Sequence, residues 1–183
     1  MQRVIGRYSQ DIDGPLLVAI GAMHGNEPAG VNAIRTVFEM LENEKIIKPE
    51  FEFKGTFLGL IGNLKAFEQK RRFIDKDLNR SWDYSVYQTI KDLPSDQLNA
   101  EQEEMLDIIA ALRAEIEAHS PKEIIVLDLH TTSAHGGIFS LTSEDDMSIR
   151  MAIELHAPVI MGMLDNISGS SIHFFDGENM GIS

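Results

Sequence analysis

Cysteine is absent from the 183 residues. Disulfides and thiolate metal centres are thereby excluded, and histidine, aspartate and glutamate are left as the strong metal ligands. Long apolar runs are absent too, since none approaches the roughly 20 residues that cross a bilayer. The first residues, MQRVIGRYSQDIDG, hold no apolar signal-peptide core, so the protein is expected to be cytoplasmic. Positive charge is scarce: 16 Lys and Arg stand against 29 Asp and Glu, a net charge of −13. Such a chain repels nucleic acid and anionic membranes, and neither is expected as a partner. There is no internal repeat and no low-complexity tract. Gly21 and Gly25 have the wrong spacing for a dinucleotide fingerprint, and no Gly-Lys-Ser/Thr phosphate loop occurs.

What is present is ordinary globular material. The chain is 43% hydrophobic and 25% charged, and long enough for one domain with a core of its own. Three apolar runs, residues 16–22 (LLVAIGA), 56–62 (TFLGLIG) and 124–129 (IIVLDL), lack polar alternation and read as buried strands. Residues 137–142 and 158–163 suggest a fourth and a fifth strand. Helices are expected between them. One starts with Pro28 in its first turn and carries Val31, Ile34, Phe38 and Leu41 on one face. Another opens at Asn99, with Gln102 completing a capping pair, and aligns Met105, Ile108, Ile109, Leu112 and Ile116 before Pro121 ends it. A short helix is expected over residues 147–156, and an ordered loop with a short helix over 63–83. The fold class is α/β, a mainly parallel or mixed central sheet with helices on both faces. Ligands of such sheets bind beyond the carboxyl ends of the strands.

Two segments meet that rule. In residues 21–27 (GAMHGNE), His24 and Glu27 lie three apart on a loop that turns into a helix, with Gly21 and Gly25 permitting tight turns. In residues 128–130 (DLH), His130 follows a buried strand, and Asp128 points to the same side, able to accept the ring N–H of a ligating histidine. Two histidines and a carboxylate leave a fourth position for water, the pattern of a catalytic zinc site. The alternatives are a satisfied core histidine at 130 and a carboxylate at 27 serving the helix dipole. Between Lys65 and Arg80 the acidic trend reverses: Lys65, Lys70, Arg71, Arg72, Lys76 and Arg80 face only Glu68, Asp75 and Asp77. This is either a site for a small anion or a solvated face.

Residues 21–30 (GAMHGNEPAG), 62–63 (GN), 72–80 (RFIDKDLNR) and 128–133 (DLHTTS) occur in an order that resembles the succinylglutamate desuccinylase and aspartoacylase family, relatives of the zinc carboxypeptidases. The resemblance implies one zinc ion held by His24, Glu27 and His130. It implies that Arg72 polarises the scissile carbonyl and that Asn79 and Arg80 grip a substrate carboxylate, chemistry suited to a guanidinium fork and a directional amide. The implied reaction is hydrolysis of an N-acyl amino acid, a small anionic substrate carrying an N-succinyl or N-acetyl group. A glutamate takes the proton of the attacking water and passes it to the leaving nitrogen.

The family's base glutamate lies late in the domain, on a strand ending in Glu-x-Gly. Here the late candidate is Glu178, within residues 174–181 (FFDGENMG), but Asp176-Gly177 is a turn pair and no apolar strand leads into it. The expectation is therefore a catalytic domain over residues 1–183 that stops before its base glutamate and before a β-rich C-terminal domain. A zinc carboxypeptidase acting on a terminal peptide bond, or a non-catalytic protein binding a metal or a small acid, are the competing readings. His119 and His156 look incidental; His135 lies near the site segment and either reaches substrate or is incidental, and His173 is left with the same two readings. Trp82 and Tyr84 either wall a pocket or pack in the core. Oligomeric state is left open.

Overall fold

The computed structural model describes residues 1–132 and 136–175. In chain order it contains β1 (Val4–Ser9), β2 (Leu16–Gly21), α1 (Ala29–Ile47), β3 (Thr56–Ile61), α2 (Leu64–Glu68), α3 (Tyr84–Ile90) and α4 (Ala100–His119). It continues through β4 (Ile124–Leu129), β5 (Ser140–Leu141), α5 (Asp146–Glu154), β6 (Val159–Ile160) and α6 (Ser171–Phe175).

The central sheet has the order β1-β3-β2-β4, with β2 parallel to both β3 and β4 and β1 antiparallel to β3. Alternation along each strand sends side chains to opposite faces. Leu16, Val18 and Ile20 of β2, with Leu58 and Leu60 of β3, meet Met105, Ile108, Ile109 and Leu112 of α4. Ala19 and Phe57 face the other way, against Ile34 of α1 and Tyr8 of β1. Both faces are therefore covered by helices, as the unalternating apolar runs require. The expected capping box is present: the Asn99 side chain accepts from the Gln102 amide, and the Gln102 side chain accepts from the Asn99 amide. Helix α4 closes at Ser120, which takes a left-handed conformation ahead of Pro121.

Four features differ from the sequence expectation. Strand β1 was not anticipated, because its pattern VIGRYS carries polar residues suited to a sheet edge rather than an apolar run. Strand β4 is half-buried along its length rather than buried, because among the described residues it pairs only with β2 and lies at the other edge. Residues 137–142 and 158–163 do not extend the central sheet. They contribute a separate parallel ladder of two residues each, β5 with β6, and Ile138, ahead of β5, remains 85% exposed. A strand without a layer over each face gains too little burial to be drawn into a parallel sheet. Finally, Pro28 flanks α1 instead of occupying its first turn.

Candidate metal centre

Strands β2 and β4 run side by side, with Gly21 opposite Leu129 at their carboxyl ends. The chain leaves β2 through Ala22, whose φ of 57° is left-handed. That conformation costs a β-carbon residue roughly 1 kcal/mol or more, and full burial of Ala22 holds it in place. The turn delivers His24 and Glu27, which are 5% and 8% exposed. The glycines serve differently from the expectation. Neither Gly21 nor Gly25 has a positive φ; each is needed for close approach. A Cβ on Gly25 would stand 2.2 Å from the carbonyl carbon of Ala66 in α2. The Gly25 amide also donates to the Arg72 carbonyl at 3.1 Å, so the His24 turn is bound to the loop that carries Arg72.

Leaving β4, the chain places His130 beside that turn. The His24 and His130 rings are 5.0 Å apart between centroids. One ligand atom from each of His24, Glu27 and His130 lies within 4.8 Å of the others. The two imidazoles are arranged alike. Nδ1 of His24 is 2.9 Å from Oε1 of Glu27, and Nδ1 of His130 is 3.3 Å from Oε2. Nε2 of His24 is 3.1 Å from Oδ1 of Asp77, and Nε2 of His130 is 3.1 Å from Oδ2 of Asp128. Each ring thus turns one nitrogen to a shared glutamate and the other to its own aspartate. The Thr131 amide donates to Glu27 Oε2 at 2.7 Å.

The electrostatics follow from these contacts. Burial pushes the Glu27 carboxyl up, but the Thr131 amide and the two imidazoles outweigh it and hold the group below the usual carboxylate range. Burial likewise opposes ionisation of Asp77, yet His24 and Arg72 hold it low. Burial lowers His130, while the hydrogen bond and charge of Asp128, with Glu27 behind them, raise it overall.

Arg72 lies over this cluster. Its Nη2 is 2.8 Å from His24 Nε2 and 3.0 Å from Asp77 Oδ2, and its Nη1 is 3.7 Å from Glu27 Oε1. Asn79 is buried, with Nδ2 3.0 Å from His130 Nε2 and Oδ1 accepting from the Ser171 amide of α6. Arg80 is exposed and its Nη1 donates to the Asn79 carbonyl. Asp128 is a sheet residue whose Oδ2 also accepts from the Ser171 hydroxyl; its Oδ1 is buried without a partner among the described residues. The structure therefore brings His24, Glu27, His130, Asp128, Arg72 and Asn79 together, with Arg80 alongside.

Two participants escaped sequence reasoning. Asp77 stands two residues before Asn79, and pairing every histidine with a carboxylate would have found it. Ser171 carries no local signal. Glu178 and His135 lie outside the described residues. His119 meets Arg7 and Glu115, away from the cluster, and His173 meets the Ser170 hydroxyl. Trp82 is buried against Phe174 and Phe175 and also lines, with Tyr84, a cleft of about 330 Å³. Among the described residues, no helix is long and apolar enough to cross a membrane.

The fold and the site define an α/β domain with a His-Glu-His cluster, able to hold a metal ion, beyond the carboxyl ends of adjacent parallel strands. The chain belongs to the succinylglutamate desuccinylase/aspartoacylase family: residues 13–181 match the model of that family's catalytic domain. A probable aspartoacylase from a Nostoc species is 34% identical over 127 residues, covering 69% of this chain and 38% of the relative. Aspartoacylase from Xenopus tropicalis is 28% identical over 133 residues, covering 72% and 39%. The chain thus spans less than half the length of these relatives. Among solved structures, murine aminoacylase 3 superposes with a TM-score of 0.53 at 21% identity, covering 82% of this chain and 48% of that one. Succinylglutamate desuccinylase from Vibrio cholerae gives 0.52 at 19% identity, covering 74% and 36%. At such identities these two likenesses bear on the fold.

Proposed function

We propose that this chain carries the zinc site of a deacylase that hydrolyses an N-acyl amino acid, with His24, Glu27 and His130 as the protein ligands. The supporting observation is the matched pair of imidazoles. Each Nδ1 faces the Glu27 carboxylate and each Nε2 faces an aspartate, so zinc held by Nδ1 would take the tautomer that carries its proton on Nε2 and donates it to Asp77 or Asp128, with Arg72 and Asn79 turned away from those nitrogens. That is the donor set and the tautomer that a divalent zinc ion takes from two histidines and a carboxylate.

Zinc bound there would supply Lewis acidity toward the acyl carbonyl and would make a water molecule nucleophilic. The chain's own residues do the rest. With the His24 proton on Nε2 and donated to Asp77, Nη2 of Arg72 is released from that nitrogen to donate elsewhere. The guanidinium lies beside Glu27 and offers its fork to the carbonyl oxygen as charge develops, an effect worth about 3 kcal/mol for an oxyanion donor. Arg80, exposed beside Asn79, binds the carboxylate of the amino-acid half. Asn79 contributes one amide hydrogen to that carboxylate when it leaves His130. The cation-rich segment from Lys65 to Arg80 suits a small anionic substrate on a chain of net charge −13.

Zinc content by elemental analysis and zinc affinity by calorimetry test the metal site. About one zinc per chain is expected for the wild type, with strong loss in His24→Ala, since each ligand is needed for affinity. Hydrolysis of N-acetyl and N-succinyl amino acids, measured beside short peptides, separates a deacylase from a carboxypeptidase. A wild-type chain that takes up no zinc refutes the proposal.

A further inference from the structure

Residues 72–80 carry Arg72, Asp77, Asn79 and Arg80, yet only residues 78–80 of this stretch form regular structure, a single 3-10 turn. Something has to hold the rest. The holder is on α4. Glu101 is 1% exposed, although glutamate is among the residues least often buried. Its Oε1 accepts from Asn63 Nδ2 at 3.0 Å and from the Ile74 amide at 2.7 Å. Its Oε2 accepts from the Asp75 amide at 2.9 Å and the Lys76 amide at 3.0 Å. The clasp is reciprocal, because the Asp75 carboxylate accepts the Ala100 amide at the first turn of α4. Four donors on one carboxylate satisfy its acceptor sites, which is how an ionised group tolerates such burial.

From this geometry we infer that Glu101 is a positioning residue: it sets the backbone of residues 74–76 and thereby the placement of Arg72 and Asp77 on one side and of Asn79 and Arg80 on the other. The inference rests on the deacylase reading for what those four side chains do, but not for the clasp itself. Fixing three consecutive amides ties the loop to the helix whose Met105, Ile108, Ile109 and Leu112 form the core. Substrate-binding groups on a loop are thus referred to the rigid part of the domain before any ligand arrives.

The substitution Glu101→Gln keeps the shape and exchanges one oxygen for an NH2 group. Whichever oxygen is replaced, a donor then faces two other donors. Leu112→Ala serves as the control: it is a buried residue of the same helix, about 16 Å further along the axis, and it destabilises the core without touching the loop. Amide hydrogen exchange on the metal-free protein is expected to accelerate at Ile74, Asp75 and Lys76 in Glu101→Gln and to stay as in wild type in Leu112→Ala. On zinc-saturated protein, binding of N-acetyl-L-aspartate, followed by calorimetry and by the fluorescence of Trp82, is expected to weaken about tenfold or more in Glu101→Gln, while zinc affinity falls less than in His24→Ala, because the loosened Asp77 orients an imidazole without being a ligand. Leu112→Ala is expected to bind as wild type does. Unprotected amides at positions 74–76 in the wild type would overturn the inference without any variant, so a poorly folding Glu101→Gln does not shield it. Equal ligand affinity in Glu101→Gln and wild type would overturn it as well. Failure of the zinc-loaded wild type to bind N-acetyl-L-aspartate would instead count against the proposed substrate, and the exchange data would still decide the clasp.

Discussion

Adding one methyl group at Gly25 should disable the metal centre without removing a ligand atom. The Cβ of Gly25→Ala would stand 2.2 Å from the Ala66 carbonyl carbon and 2.3 Å from the Phe67 nitrogen. Both are backbone atoms of α2, whose opening amides at Leu64 and Lys65 are held by the buried Glu104. Neither can swing aside as a side chain would, so relief has to come from the turn bearing His24. Ordinary contact begins near 3.4 Å, which requires a displacement of about 1 Å, whereas metal–ligand distances tolerate only about 0.2 Å. Overpacking of this kind costs about 1–3 kcal/mol. For a chain of this length each kcal/mol corresponds to roughly 2–4 °C, so Tm should fall by about 2–12 °C. Zinc affinity should fall by about tenfold or more, equivalent to at least about 1.4 kcal/mol. Thermal unfolding without metal and calorimetric titration with zinc measure the two effects separately. A Gly25→Ala protein that unfolds and binds zinc as wild type does would refute the close-packing account of this turn.

Two further outcomes are expected. Asp77→Asn and Asp128→Asn should each weaken zinc binding about 10–100-fold, since a neutral amide orients its imidazole less firmly and lowers ligand basicity; calorimetry on both variants checks this, and unchanged affinity would remove the aspartates from the site's design. Stability should also depend on acid through Glu101. Burial raises its pKa, but the hydrogen bonds from Ile74, Asn63, Lys76 and Asp75 hold it below the ordinary value of 4.5. A depressed carboxylate stabilises the folded state fully above the unfolded value and loses that contribution as pH falls through the folded value. The difference in urea midpoint between wild type and Glu101→Gln should therefore be constant from neutrality down to about 4.5 and shrink in stronger acid, and a gap that widens there would contradict the assigned direction.

Much of the fold was legible in the residues because burial leaves a local trace. The runs that became β2, β3 and β4 are unbroken apolar stretches, and the apolar stripe of α4 recurs at helical spacing behind its capping box. His24, Glu27 and His130 were legible for a topological reason: each follows a run ending at the same side of a parallel sheet, and adjacent strands bring such ends together. What the chain did alone was to place apolar residues in short runs and helical stripes, and chemical groups at the ends of strands. The tertiary structure decided which strands were edges, that β5 and β6 stood apart, and which carboxylate each polar group met. His24 met Asp77 across 53 positions, and Glu101 met the amides of residues 74–76 from helix α4. Hydrophobic burial is non-directional and is written locally as a pattern, whereas a hydrogen bond between residues far apart in the chain joins two specific atoms and leaves no local trace until folding has brought them within 3 Å or so of one another.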